Sequence, residues 1–454
     1  MAPSASVPAG PDGDGVPRRG PGFLRSSGVA PGTANAAMPF DHLIVVMMEN
    51  HSFDNLLGDL GRTRPEVDGL MFDGAGNPTN TNPGTDQTPA VVKAFALTDT
   101  AQATHVTQSW AASHAQINGG AMDGFVTTAG AIEPMGYYSP EVLPFAYSLA
   151  DQFTLANQWF CSLPGPTYPN RRFLLAGTAY GGTVTGIDAL LDKPPPNGTI
   201  CDRLSEYNIN WCNYFTDIPM TMAIPSIIYK HPRHFAPLRK FFDDCQSGTL
   251  PAVSFVDPGV GVLSSFASHV EQVPLLKAAL RRLGANVQGS DPAETEEDPQ
   301  DMYWGEAWAA RVVQAVLDSE TWKRTLLIYT YDEHGGYFDH VAPPVAAVPD
   351  DIPPALGPGD PPGGFDVYGP RVPAIVVSPY STAGAVTNTV HDHTSVLATI
   401  ETKWNIPALT ARDANANDVM DFLDLGRQPR TGLTVRVPPN SGPSGPVGPE
   451  RTAS

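Results

Sequence analysis

Two runs of apolar residues in this chain end abruptly in side chains that carry oxygen. Residues 325–331 read Thr-Leu-Leu-Ile-Tyr-Thr-Tyr, and Asp332, Glu333, His334, Gly335 and Gly336 follow without a break. Residues 40–48 stop in the same way, at Glu49, Asn50, His51 and Ser52. An acid at the end of a buried strand is costly unless its charge is compensated. Together the two ends offer three carboxylates and an amide oxygen, a donor set for a hard cation such as Ca²⁺ or Mg²⁺. Nearby histidines would extend the choice to Mn²⁺ or Zn²⁺. Taken singly, Asp332–Glu333 reads equally well as a solvated turn and Glu49–Asn50 as a helix-capping pair. Their shared placement favours the cation.

Thr167 sits between Pro166 and Tyr168-Pro169, where a rigid turn leads into an expected helix. A helix N-terminus presents free N–H groups and partial positive charge, which suits a phosphate oxygen. A hydroxyl there, next to a cation, would ionise more easily and could attack phosphorus. Arg171 or Arg172 would add charge on the anion. On its own, Thr167 is an ordinary cap after a proline turn. Acid/base work would fall to one of His105, His114, His269, His334, His391 and His393. His334 ranks first because it follows the acids directly. His114 comes next, because it precedes the glycine-containing loop 118–125, which allows close backbone approach.

The elements that must position these groups read as buried strands alternating with helices. Strands are expected over 40–48, 153–155, 251–258, 325–331 and 372–379. Helices are expected over 143–149 and 306–319, after Thr167, and from Asp392, the expected N-cap, to Glu401. Residues 283–303 read as an acidic surface loop and 342–364 as a proline-rich surface excursion. The alternation implies one α/β domain over about 39–427, a three-layer α/β/α sandwich with a mostly parallel central sheet. Residues 1–38 and 428–454 are rich in Pro, Gly and Ser and are expected to be disordered. Ligands in such sheets bind at the carboxyl ends of the strands, where the acids lie.

With 47 acidic against 27 basic residues, the net charge is −20. That excludes nucleic acid as an expected partner and disfavours adhesion to an anionic membrane. No apolar run is long enough for a membrane span, and no signal peptide is visible, so a cytoplasmic protein is expected, with secretion as the alternative. Of the four cysteines, Cys201 and Cys212 flank a short segment and could pair.

Five ordered blocks then resemble the bacterial phospholipase C and acid phosphatase family of phosphoesterases. They are Met48–Asn55, Asn118–Phe125, Gly165–Arg171, Tyr331–Gly336 with Phe338–His340, and Asp392–Ser395. The resemblance implies an alkaline phosphatase-like fold and a small-molecule or lipid phosphate ester as substrate. It also implies a divalent cation (Ca, Mg, Mn or Zn) held by Glu49, Asn50, Thr167, Asp332 and Glu333. Thr167 would be the nucleophile, forming a phosphothreonine that water hydrolyses, with a histidine moving the proton. One departure stands out. The family's histidine-proline pair is replaced here by Asp298-Pro299, and a family-like upstream histidine would fall near Gln108, three residues from His105. That leaves open a lyase, transferase or other ester-processing enzyme on the same scaffold, and a non-catalytic binding protein.

Overall fold

His42–Met48 (β1) runs through the middle of an eight-stranded sheet, and every residue from Leu43 to Met48 is buried. A strand covered on both faces needs a continuous apolar run rather than alternation, and this segment supplies one. The structure is a computed structural model that describes residues 19–102, 105–261, 265–289, 292–297 and 300–438. The other strands of the sheet are Thr154–Ala156 (β2), Trp211–Phe215 (β3), Phe235–Pro237 (β4), Val253–Asp257 (β5), Thr325–Tyr331 (β6), Ala374–Val377 (β7) and Val386–Thr387 (β8). They lie in the order β8-β2-β7-β6-β1-β5-β3-β4. β7 alone runs against its neighbours. Helices Pro144–Gln152, Leu238–Ser247 and Met302–Leu317 pack together over one face, and Thr167–Ala176, Ile200–Glu206 and Thr394–Trp404 over the other. This is the expected three-layer sandwich.

The register of the two central strands creates the site. Met48 lies opposite Tyr331 in the parallel pair, so Glu49 and Asp332 leave the sheet side by side at its carboxyl edge. A slip of one residue would turn one acid to the other face.

Several expectations change. Residues 19–38 are ordered: the backbone of Gly22 and Phe23 pairs with Ala408, Asn35 N–H donates to the Lys403 carbonyl, and Arg25 donates to the Asp413 carbonyl. Proline and glycine here shape a strap rather than free chain. Residues 428–438 also lie on the domain, with Trp322 Nε1–H donating to the Arg430 carbonyl. Residues 1–18 and 439–454 lie outside the described residues. Asp392 does not cap its helix, which begins at Thr394; its carboxylate accepts from Ser162 and Thr394 hydroxyls instead. All four cysteines are free, so the expected Cys201–Cys212 pairing is not made; Cys201 is buried in a helix and Cys212 lies on β3. Part of the acidic loop is not surface at all: Thr295 and Glu296 are buried, and Glu49 N–H donates to the Thr295 carbonyl. Among the described residues, no helix is long and apolar enough to cross a membrane.

Candidate active site

Asn50 takes a left-handed backbone conformation (φ 70°), an uncommon state for a residue with a side chain. Its turn brings one terminal atom of its amide within 2.7 Å of Glu333 Oε1, 3.2 Å of Asp332 Oδ1 and 3.4 Å of Thr167 Oγ1. As nitrogen, that atom donates to both carboxylates; as oxygen, it meets three other oxygens, which is stable only around a cation. Two glycines make the turn possible. Gly335 has φ +64°, and a Cβ on it would lie 1.8 Å from the Asn50 carbonyl oxygen. A Cβ on Gly336 would lie 2.5 Å from the Thr107 carbonyl oxygen.

The charges around this point do not balance. Glu49, Asp332 and Glu333 are fully buried, and a single guanidinium pairs with the first two. Arg171 donates from Nη2 to Glu49 Oε1 and from Nε to Asp332 Oδ2, both at 3.1 Å. Three carboxylates against one cation leave two negative charges. Burial pushes the Glu49 pKa well up, and the neighbouring charge of Glu297 adds to that. Burial, then Asp332, does the same to Glu333. Glu49 Oε2 has no hydrogen-bond partner among the described residues. A divalent cation matches the surplus charge, and the donors are those a hard cation takes, so the residues present fit one.

Arg171 is therefore placed differently from its expected role on the substrate anion. Its guanidinium is buried against the carboxylates and the carbonyls of Met47 and Met48. Arg171→Met is expected to destabilise the fold by about 3–5 kcal/mol, because it leaves buried acids uncompensated. Urea denaturation in the presence of chelator measures it, and a change under about 1 kcal/mol would show that the pairs do not matter.

Thr167 opens helix Thr167–Ala176 and lines a cavity of about 550 Å³ together with His105, Gln108, Glu297, Gln300 and Asp360. Of the six candidate histidines, only His105 lines this cavity, at its exposed rim. His114 lines a different cavity beside Pro164 and Pro343, with Nδ1 2.8 Å from the Trp110 carbonyl. His334 is fully buried, Nε2 lying 2.7 Å from Gln116 Oε1, and burial pushes its pKa down to about 3. It packs behind Glu333 as a neutral group. His393 is likewise buried, with Nε2 2.6 Å from the Asp332 carbonyl, and supports that turn from the other side. His269 Nδ1 lies 3.4 Å from the hydroxyl of Tyr168, the residue after Thr167, but His269 is outside the cavity lining. Asp298 lies outside the described residues. Its neighbour Glu297 faces the cavity, and Gln108 hydrogen-bonds Glu333. Neither Glu297 nor the wall formed by Thr183 and Thr185 carries a signal in the sequence.

A second acidic group, Asp54, Asp339 and His340, already has its cation. Arg371 donates to Asp339 Oδ1 and Oδ2 at 2.9 and 3.1 Å and to Asp54 Oδ1 at 3.3 Å. Burial opposes charge on His340, yet Asp54 at 2.7 Å and Asp68 at 3.2 Å outweigh it and push its pKa from 6.5 to about 10. The folded chain thus favours the protonated ring. That stabilisation is complete below pH 6.5 and is lost as pH rises through about 10. Wild-type Tm is expected to fall more steeply over this interval than that of His340→Gln. Parallel curves in scanning calorimetry would show that the ring carries no such charge.

Fold and site together define a hydrolase acting on phosphoric ester bonds, built at the carboxyl edge of a mostly parallel sheet. The model of the Phosphoesterase family matches residues 40–407, and the chain belongs to that family. It is 31% identical to non-specific phospholipase C1 of Arabidopsis thaliana, over 88% of this chain and 74% of that one. It is 29% identical to phospholipase C B of Mycobacterium tuberculosis, over 86% and 78%. Among solved structures, a phosphonate monoester hydrolase of Agrobacterium radiobacter shares 12% identity, over 86% of this chain and 78% of that one, with a TM-score of 0.37. A member of the alkaline phosphatase superfamily from Vibrio parahaemolyticus gives 12%, 81%, 79% and 0.34.

Proposed function

We propose that the chain hydrolyses a phospholipase C-type or phosphatase-type ester, lipid or small-molecule, through a covalent phosphothreonine on Thr167. The observation that carries this reading is the Thr167 hydroxyl at a helix start, on the cavity wall, 3.4 Å from an Asn50 amide wedged between Asp332 and Glu333. Glu49, Asn50, Asp332, Glu333 and the Thr167 hydroxyl would hold a divalent cation, which when bound supplies positive charge to the hydroxyl and phosphoryl oxygens. An all-oxygen set suits Ca²⁺, Mg²⁺ or Mn²⁺ better than Zn²⁺.

Thr167 Oγ1 would give its proton to a group lining the cavity and attack phosphorus as the bond to the leaving oxygen breaks, and the departing alcohol would take that proton up. A water hydrolyses the phosphothreonine and returns the hydroxyl. Arg171 keeps Glu49 and Asp332 in place, while His334 and His393, both neutral, wedge the 332–336 turn. Of the lining residues, His105, Glu297 and Asp360 are able to carry a proton. The phospholipase names of the relatives support a lipid phosphate ester as one substrate class.

A side-by-side panel of aryl phosphomonoester, aryl phosphodiester and phospholipid vesicles, with and without chelator, tests the reading. At least one is expected to be cleaved, with activity lost on chelation and recovered with added Mg²⁺, Ca²⁺ or Mn²⁺. No cleavage of any, or full activity in chelator, would sink it.

A further inference from the structure

Glu296 is costly to the fold in two ways. Its side chain is buried, with Oε1 unpartnered among the described residues, and its backbone is left-handed at φ 76°. A buried acid with incomplete hydrogen bonding and a strained residue each persist only where the surroundings over-determine them. Here the surroundings are both halves of the candidate active site. Oε2 accepts from the hydroxyl of Tyr331, the last residue of β6 before Asp332, at 2.5 Å. On the other side, the Glu49 N–H donates to the Thr295 carbonyl at 3.1 Å, and His51 Nε2 lies 3.0 Å from the Glu296 carbonyl. The next residue, Glu297, lines the cavity with Thr167. Gly305, on helix Met302–Leu317, makes the room, because a Cβ there would collide with Glu296 Cγ.

We propose that Glu296 is a positioning residue for the reaction, a strut that fixes segment 295–297 against both strand ends that carry the acids and so sets Glu297 in the cavity wall. The inference rests on the reading of the Thr167 cavity as the catalytic site. Glu296 is not among the residues lining that cavity, so it acts through its neighbours. Filling the space over Gly305 would need no polar group, and an apolar side chain of similar volume would do so at lower cost. The carboxyl group adds what an apolar one cannot, a bond to the Tyr331 hydroxyl that ties the segment to β6.

Kinetics on an ester that the wild type cleaves, together with backbone hydrogen exchange, test this on the full chain. Glu296→Ala is expected to lower kcat by about tenfold to a hundredfold, with KM changed by less than about threefold. Gly305→Ala displaces the same side chain from outside the site and should act alike. The double variant should be no slower than Glu296→Ala alone. Glu296→Gln keeps an oxygen for the Tyr331 hydroxyl and should recover most of the rate. In chelator, exchange of the peptide that carries the Glu49 N–H should rise in Glu296→Ala, while that of β3 and β4, at one edge of the sheet, stays as in the wild type. Wild-type kcat in either single alanine variant, additive losses in the double one, a glutamine variant as slow as Glu296→Ala, or exchange raised evenly over the sheet would overturn the proposal. Melting curves confirm that each variant is folded; if Glu296→Ala is not, Gly305→Ala decides alone. Thr167→Ala, assayed beside them, decides the nucleophile separately, since full activity there contradicts that assignment whatever Glu296→Ala does.

Discussion

Thr167→Ala is expected to lower turnover of an aryl phosphate by roughly a thousandfold or more, since it removes the proposed nucleophile. The same change should leave the fold nearly intact. Pro166, not Thr167, occupies the N-cap position, and no side-chain cap is present at this helix start. The backbone contact of the next residue, Tyr168 N–H to Thr185 Oγ1 at 3.0 Å, does not involve the lost hydroxyl. What disappears is a 3.4 Å contact to Asn50, so a stability change within about 1 kcal/mol is expected. Large loss of rate with small loss of stability separates a reacting group from a structural one. Steady-state kinetics and urea melts on one preparation give both numbers.

Glu333→Gln should have the second largest effect, with opposite signs on two readouts. Glutamine keeps an oxygen able to accept from the Gly335 N–H, now 2.7 Å from Glu333 Oε2, so the turn survives. It removes one of three buried negative charges, relieving the repulsion and desolvation that raise the pKa of this group. In chelator the variant is therefore expected to be at least as stable as the wild type. With Mg²⁺ or Mn²⁺ added, the wild type should gain about 2.7 kcal/mol at a hundredfold excess over Kd. The variant should gain much less and lose most activity. Thermal shift with and without cation measures this. An equal gain in both proteins would remove Glu333 from the ligand set.

The acids at the two strand ends were legible because the strands are. Both are largely apolar runs that end directly at an acid, and parallel pairing in register needs nothing more to bring Glu49 beside Asp332. β3 was less legible because Asn213 interrupts it; that amide is buried, donating to Asp257 Oδ2 at 2.6 Å. Arg171 looked like an anion-binding group from its place near Thr167, but which way a helix turns its fifth and sixth residues depends on packing. The histidines were the weakest part of the reading. Proximity in sequence favoured His334, while its complete burial against Gln116 keeps it neutral. The segment Thr295–Glu297 was hidden for a different reason. It reaches the site through tertiary contacts, with His51 Nε2 3.0 Å from the Glu296 carbonyl and Tyr331 Oη–H donating to the Glu296 carboxylate at 2.5 Å. Gly305 leaves the room that this carboxylate fills. No local pattern encodes such a docking.

The covalent step on Thr167 is tested most directly by acid quench during turnover, proteolysis and mass spectrometry of the peptide that contains it. The expected result is a fraction of that peptide heavier by one phosphoryl group, localised to Thr167, formed only with substrate and absent from Thr167→Ala. Sustained turnover with no phosphorylated peptide, together with undiminished activity of Thr167→Ala, would contradict it.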